Sequence, residues 1–418
     1  MFVSALVAVV AAGVGSPVVP LKSSTAISDT EGKAILKAIG NSSLVMLGEQ
    51  THGDGTSFEL KSALVRYLHE KGGFEVLLWE SGMYDCAKMD AALGTDKPIK
   101  EVAQMGVFSH WSNSPQSLPV FEYARSTRGS KRPLRMAGFD LQPSGSASLN
   151  QLLDMLEWFE GTNLISQDFQ ARIEDSKTAA TKPNMEWEER QRASLAFNRH
   201  SIELHDLARK NKELIKSQWK SETDFRLRCL YLMGKYDEMM KNYLAGKPGD
   251  EKFMASYNLR ESVNADNVDF VMKELFPRKK AIIWAHNVHI FRGQPEVSGG
   301  DWLPAPKTGV DSMGRIIGQR WKKKAYSVGV FSSKGSWSWL GGPEIEFVPA
   351  NSGSFEKELD AAGHALGFAD LRSLPATHAW RKPLEGFPSR QNGQPFRTIW
   401  PDAYDGVLYV REMKPRTQ

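Results

Sequence analysis

The stretch Leu44-Val-Met-Leu-Gly-Glu-Gln-Thr-His-Gly-Asp-Gly, residues 44–55, constrains the chain more than any other. Leu44 to Leu47 is an unbroken apolar run, the pattern of a short buried strand. It stops at Gly48, and Glu49 and His52 follow three residues apart where the chain leaves the sheet. Gly53 and Gly55 are expected to give the loop sharp φ/ψ values. Thr56 or Ser57 is expected to cap a helix from about Phe58 to Lys71. In an α/β sheet, ligands bind in the crevice at the carboxyl ends of the strands. A carboxylate and an imidazole delivered there are placed for acid–base work.

Further segments follow the same plan. Asp29 to Ile39 reads as a helix closed by Gly40, and Phe74 to Trp79 as a strand leading into Glu80. Residues 84–128 read as helices broken at Pro98, Pro115 and Pro119. Pro133 to Asp140 reads as a strand delivering Asp140, and Lys280 to Ala285 as one followed by His286 and His289. Ala325 to Phe331 and Ala403 to Tyr409 complete the expected strands; Gly293 to Lys307 reads as a Gly/Pro-rich loop and 335–400 as irregular. Between these parts the chain becomes long, charged and helix-patterned, with Leu227, Leu230, Met233 and Tyr236 at helical spacing. The expected organisation is a lead-in at 1–27, a first α/β part at 28–148, an inserted helical region at 149–276 and a second α/β part at 277–418. Pro183 and the Gly246–Gly249 turn are read as joints of the insertion. It reads equally as a lid or wall over the cleft and as a packing appendage.

Gly48-Glu49-Gln50-Thr51-His52-Gly53 with Phe58-Glu59-Leu60-Lys61 resembles the first motif of the erythromycin esterase family. Val76-Leu-Leu-Trp-Glu80-Ser81 is similar to that family's second strand, which ends in an acid. Arg260-Glu261-Ser-Val-Asn-Ala265-Asp-Asn267 is similar to its Arg-Asp-x-x-Met-Ala-x-Asn helix, and Ile282-Ile-Trp-Ala-His286-Asn287-Val-His289 to its Trp-Ala-His-Asn-x-His strand end. Met313-Gly314 is a weaker match, so the resemblance runs over about residues 35–335. It implies a central, mostly parallel sheet flanked by helices, with Asp140 at the same rim as the motif residues. It also implies a hydrolase that opens a macrolactone or related ester with an activated water; a macrolide substrate and a part in antibiotic resistance follow from the family alone.

Composition narrows the rest. The chain has 418 residues, 41% hydrophobic and 24% charged, as in ordinary globular proteins. Its net charge of +4 comes with no long basic block, which gives no nucleic-acid footprint. The apolar run from Phe2 to Gly15 is too short for a membrane-spanning helix and resembles the h-region of a signal peptide, although no charged residue precedes it. Export to the periplasm or medium is therefore expected, with cytoplasmic residence the alternative and no stable membrane insertion. Cys86 and Cys229 are too few and too far apart for a disulfide framework and read as buried thiols.

For the chemistry, no Gly-x-Ser-x-Gly follows a strand and neither cysteine stands at a strand end, so a covalent Ser or Cys nucleophile is disfavoured. What remains at the strand ends is Glu49, His52, Glu80, Asp140, His286 and His289, a set suited to activating water. His52 is assigned as general base, with Glu49 orienting it or positioning the water. His286 is expected to hydrogen-bond the substrate carbonyl oxygen. Glu80 and Asp140 are expected to set the protonation of the imidazoles. His289, Lys61, Asp140 and Arg260 are placed as substrate-contacting residues. The family more often carries Arg at the position of Lys61, and a Lys offers a point charge in place of a fork. No cofactor is expected, although three His and three acids leave a metal open. The expected partner is a small ester; a haem- or ligand-binding protein of the same broad fold and a metal-dependent hydrolase are the rival readings.

Overall fold

The structure is a computed structural model and describes residues 17–247, 250–293, 311–390 and 395–417. The expected signal sequence, most of the Gly293–Lys307 loop and part of the Gly246–Gly249 joint lie outside the described residues. The strands are β1 (Val18–Pro20), β2 (Leu44–Leu47), β3 (Phe74–Gly82), β4 (Arg135–Asp140), β5 (Lys280–Trp284), β6 (Ala325–Ser338), β7 (Glu344–Glu346), β8 (Leu366–Asp370), β9 (Leu384–Gly386), β10 (Phe396–Thr398) and β11 (Gly406–Met413). The main sheet runs β1-β8-β11-β6-β2-β5-β3-β4, with β7 paired to β6, while β9 and β10 pair separately. Every neighbouring pair from β11 across to β4 is parallel. The pairings of β8 with β11, β1 with β8 and β7 with β6 are antiparallel. This is the mostly parallel α/β sheet expected.

Alternation along the central strands sends apolar side chains to both faces, which is why β2 carries no polar residue. Leu44 and Met46 join one core with Leu78 and Ile283. Val45 and Leu47 join the core on the other face with Leu77, Trp79 and Trp284. Helices cover both faces: α1 (Asp29–Ile39), α2 (Gly55–Gly72), α3 (Met83–Ala92), α4 (Ile99–Gly106), α5 (Ser109–Ser112) and α6 (Leu118–Ser126) come first. α1 starts with a capping box between Ser28 and Glu31. Pro98 occupies the cap position of α4, and Pro119 lies in the first turn of α6, so both begin helices where breaks were expected.

The helical region contains α7 (Gln151–Glu157), α8 (Gln167–Ala180), α9 (Trp187–Asn198), α10 (His200–Lys210), α11 (Lys212–Trp219), α12 (Thr223–Ala245) and α13 (Glu251–Phe270). Leu152, Phe169, Leu204, Trp219 and Leu230 form a core of their own, joined to α3 through Tyr84. α13 behaves differently. Its Val263 and Val268 belong to the core that covers the sheet. Asn264 Oδ1 accepts the Leu141 amide at 2.8 Å, and Asn267 Nδ2 donates to the Phe139 carbonyl at 2.8 Å. These two amides fasten α13 across the end of β4. After β5 come the short α14 (Asn287–Ile290) and α15 (Met313–Trp321). Among the described residues no helix is long and apolar enough to cross a membrane.

Several expectations need correction. The helix after the first loop begins at Gly55, and neither Thr56 nor Ser57 caps it. β6 continues to Ser338, and the stretch 335–400 holds four short strands and the helix Phe355–Asp360 in place of irregular chain. These elements are too short to show a period. β11 starts at Gly406, because Trp400–Ala403 forms a helical turn with Pro401 at its start.

Candidate functional site

β2, β5, β3 and β4 are neighbours in the sheet, and the residues that follow or end them are Glu49 and His52, His286 and His289, Glu80, and Asp140. Strand order alone therefore brings the predicted acids and imidazoles to one edge. Glu49 is completely buried. Its Oε1 accepts from His52 Nδ1 at 2.9 Å and from Trp111 Nε1 at 3.1 Å. Its Oε2 accepts from Lys61 Nζ at 2.7 Å and from Trp284 Nε1 at 3.0 Å. A carboxylate offers about four lone-pair positions, and all are taken. Lys61 is sealed in with its ammonium 4.2 Å from the Trp284 ring centre. Burial pushes the Lys61 amine down to about 8, against the pull of Glu49.

The bond to Glu49 makes His52 Nδ1 the protonated nitrogen and leaves Nε2 as the one with a lone pair. The His52 side chain keeps 18% exposure. It stacks on His110 at 4.3 Å between ring centres and meets Trp111 and His286 edge-on at 5.4 and 5.3 Å. Burial, and after it the neighbouring His52, hold the His110 imidazole well below its usual range.

Behind this pair lies a ring of charges. Glu80 accepts from the His286 backbone N–H at 2.7 Å, His289 Nε2 at 3.0 Å and Arg260 Nη2 at 3.1 Å. Burial would raise its carboxyl, but His289, His52 and Arg260 outweigh this and hold it well below the usual carboxylate range. His289 Nδ1 bonds Glu261 at 2.6 Å. Burial would lower the His289 imidazole, yet Glu261 and Glu80 together hold it up to about 10. Arg260 grips Asp140 through Nε at 3.1 Å and through Nη2. Glu261 also accepts the Met313 amide at 2.7 Å, which ties α15 to the same ring.

The loop itself is held by groups that local sequence did not mark. Asp54 accepts the Gln50 and Thr51 amides at 2.9 Å each and the Thr51 hydroxyl at 2.7 Å. Burial pushes its carboxyl up to about 7. Gly53 and Gly55 have no positive φ, contrary to expectation. A Cβ on Gly53 would lie 2.4 Å from the Ser338 carbonyl oxygen, and one on Gly55 2.5 Å from that of Pro415. Close approach of backbone, not dihedral freedom, is the reason for glycine there.

Of the predicted residues, Glu49 and His52 come together as expected. Both ring nitrogens of His286 meet backbone: Nε2 donates to the Gln50 carbonyl at 2.9 Å, and Nδ1 accepts the Val288 amide at 3.2 Å as the cap of α14. Glu80 contacts an imidazole, that of His289, whereas Asp140 contacts Arg260. Lys61, Asp140 and His289, expected to touch substrate, are buried and paired with protein groups; Arg260 retains 16% side-chain exposure. Sequence reading missed Trp111, His110, Trp284 and Glu261. Trp284 and Glu261 lie inside matched motifs and could have been singled out. His110 and Trp111 sit on the four-residue α5, which carries no pattern. Both cysteines are buried and free, as expected. Among the described residues no group of three His, Cys, Asp or Glu is arranged to hold a metal ion.

Fold and site together define an α/β protein whose histidine–carboxylate pair stands at the carboxyl edge of a parallel sheet. Residues 69–413 match the family model described as erythromycin esterase, and the chain belongs to that family. It is 27% identical to the protein named "Putative hydrolase YbfO" of Bacillus subtilis strain 168, over 95% of this chain and 89% of that one. It is 21% identical to erythromycin esterase type II of Escherichia coli, over 91% of this chain and 92% of that one. A mutant of the erythromycin esterase EreC, solved in an open conformation, superposes with a TM-score of 0.67 at 16% identity, covering 94% of this chain and 96% of the other. That likeness shows a shared fold; the family and the relatives' names indicate a hydrolase.

Proposed function

We propose that the chain is a carboxylic ester hydrolase, acting on a lactone or related ester, in which His52 activates water. The observation that carries this reading is the saturated Glu49 carboxylate. Lys61, Trp111 and Trp284 hold it, and its remaining bond fixes the His52 tautomer. With no lone pair left over, Glu49 orients the base and does not itself take the proton. His52 Nε2 removes a proton from water as the water oxygen attacks the acyl carbon, and returns it to the leaving alkoxide. Products are a carboxylic acid and an alcohol, joined in one molecule if the substrate is cyclic. Macrolactones fall within this class.

The test is a screen of lactones and open esters of differing size, read by mass for the gain of one water, with His52→Gln run beside the wild type. Wild-type turnover is expected on at least one substrate. The variant should be slower by about 10²–10⁴-fold, the usual contribution of a general base, with little change in binding. A folded His52→Gln protein that turns over substrate at the wild-type rate overturns the assignment.

A further inference from the structure

The segment after β11 is bonded both to the start of α2, which follows the His52 loop, and to Gln116, which follows α5 with its His110. Lys414 exchanges bonds with Thr56 on one side: its carbonyl accepts the Thr56 amide at 3.3 Å, and its amide donates to Thr56 Oγ1 at 3.1 Å. On the other side the Thr417 amide donates to Gln116 Oε1 at 3.2 Å, and its hydroxyl accepts from Gln116 Nε2 at 3.0 Å. Between them the Arg416 amide donates to the Gly53 carbonyl, next to His52, at 2.8 Å. The Arg416 carbonyl accepts from Ser338 Oγ at 3.0 Å. The backbone at this point is therefore pinned from three directions.

The side chain is not satisfied in the same way. Arg416 is only 3% exposed. Its Nε donates to the Ser338 carbonyl at 3.2 Å. Nη1 and Nη2 are both buried and have no hydrogen-bond partner among the described residues. Burial pushes the guanidinium's pKa down, with no carboxylate among the described residues to offset it. His110 Nε2 is also buried and unpartnered, and the Arg416 charge is one of the influences, after burial and His52, that keep this imidazole low. A dry guanidinium whose outer nitrogens lack partners is costly unless something pairs with them. The fork geometry matches a carboxylate, which can take both outer nitrogens at once.

We propose that Arg416 is a substrate-binding residue that receives a carboxylate borne by the substrate, so that the esters handled at His52 are acidic ones. This rests on the hydrolase reading for the word substrate; the anion site itself does not depend on it. Arg416 recognises and positions the ester through its carboxylate and takes no part in proton transfer.

The experiment uses the full chain, with Arg416→Gln, Arg416→Lys and His52→Gln. Binding is read by thermal shift with glutarate and with its neutral diamide, glutaramide, as control. Glutarate should raise the melting temperature of the wild type and of His52→Gln, as any ligand of the folded state does. Glutaramide should not. The shift should vanish in Arg416→Gln and be partly kept in Arg416→Lys. Turnover is compared for 4-nitrophenyl hydrogen glutarate and 4-nitrophenyl butyrate. In Arg416→Gln the ratio of kcat/KM, acidic over neutral, should drop by about 30-fold or more, the scale of losing one partner of a buried charge pair. If Arg416 only holds the segment in place, both esters slow together and the ratio stays constant, which overturns the proposal. So does a wild type that does not respond to glutarate. Glutarate binding through Arg416 without turnover of any ester would instead overturn the hydrolase reading and leave the anion site standing.

Discussion

Glu49, Lys61, the two indoles and His52 form a unit in which four donors share one carboxylate, and the consequences can be separated. Glu49→Gln puts an NH2 donor in place of one carboxylate oxygen, which loosens the hold on the His52 tautomer, and leaves the Lys61 ammonium buried without its counter-charge. Removing one member of a buried pair costs about 3–5 kcal/mol, so the single variant should lose both activity and stability. In Glu49→Gln with Lys61→Met the stranded charge is gone. The double variant should regain most of the lost melting temperature, while turnover stays as low as in Glu49→Gln. If turnover returns together with stability, Glu49 supports the fold and does not orient the base.

At the scale of elements, the loop between β2 and α2 is shaped by what it touches. Gly48 faces Asn287, whose side-chain oxygen would lie 1.9 Å from an added Cβ. Asn287 in turn bonds both the amide and the carbonyl of Val330 at 3.0 and 2.7 Å, which ties the segment after β5 to β6 past the end of β2. A Cβ on Gly53 would likewise clash with Ser338 on β6, at 2.4 Å. Gly53→Ala should therefore push the His52 loop off β6, at a cost of about 1–3 kcal/mol for overpacking. Its mark should be a larger fall in turnover than in melting temperature. Gly129→Ala, with no atom within 4 Å of the new Cβ, is the control and should leave both unchanged. Equal behaviour of the two variants would mean that loop placement against β6 does not govern the site.

Across the whole molecule, the helical region enters the site through α13, whose Arg260 and Glu261 complete the charge ring behind His52. His289 binds this ring to the sheet and makes its strength depend on pH. The folded imidazole keeps its proton up to about 10, compared with an ordinary value of 6.5. Between those values the folded state binds more protons than the unfolded state, so stability falls as pH rises. The contribution is complete below about pH 6.5 and is lost as pH approaches 10. His289→Gln should consequently be destabilised most at pH 6, with the gap to the wild type narrowing steadily toward pH 10, as measured by urea unfolding across that range. A gap that stays constant with pH would remove the imidazolium from the account.

The amino-acid sequence by itself determined which residues end the central strands and what chemistry they bring. Apolar runs such as Leu44–Leu47 and residues 281–284 are local, so their strand character was legible, and so was the placing of Glu49, His52, Glu80 and His286 at or just beyond the ends of such runs. Close packing was less legible: Gly53 showed as a glycine, but its contact with Ser338 did not. The partners were hidden for the same reason. Glu49 meets Trp284 across 235 residues, Glu80 meets the His286 amide across 206, and Arg260 meets Glu80 across 180. Those meetings follow from the order β2-β5-β3-β4 and from α13 lying across the end of β4, and no short-range pattern encodes either. Only the tertiary structure could therefore decide that Lys61 serves Glu49, that His286 turns its ring to the backbone, and that the Arg416 amide meets the Gly53 carbonyl next to His52.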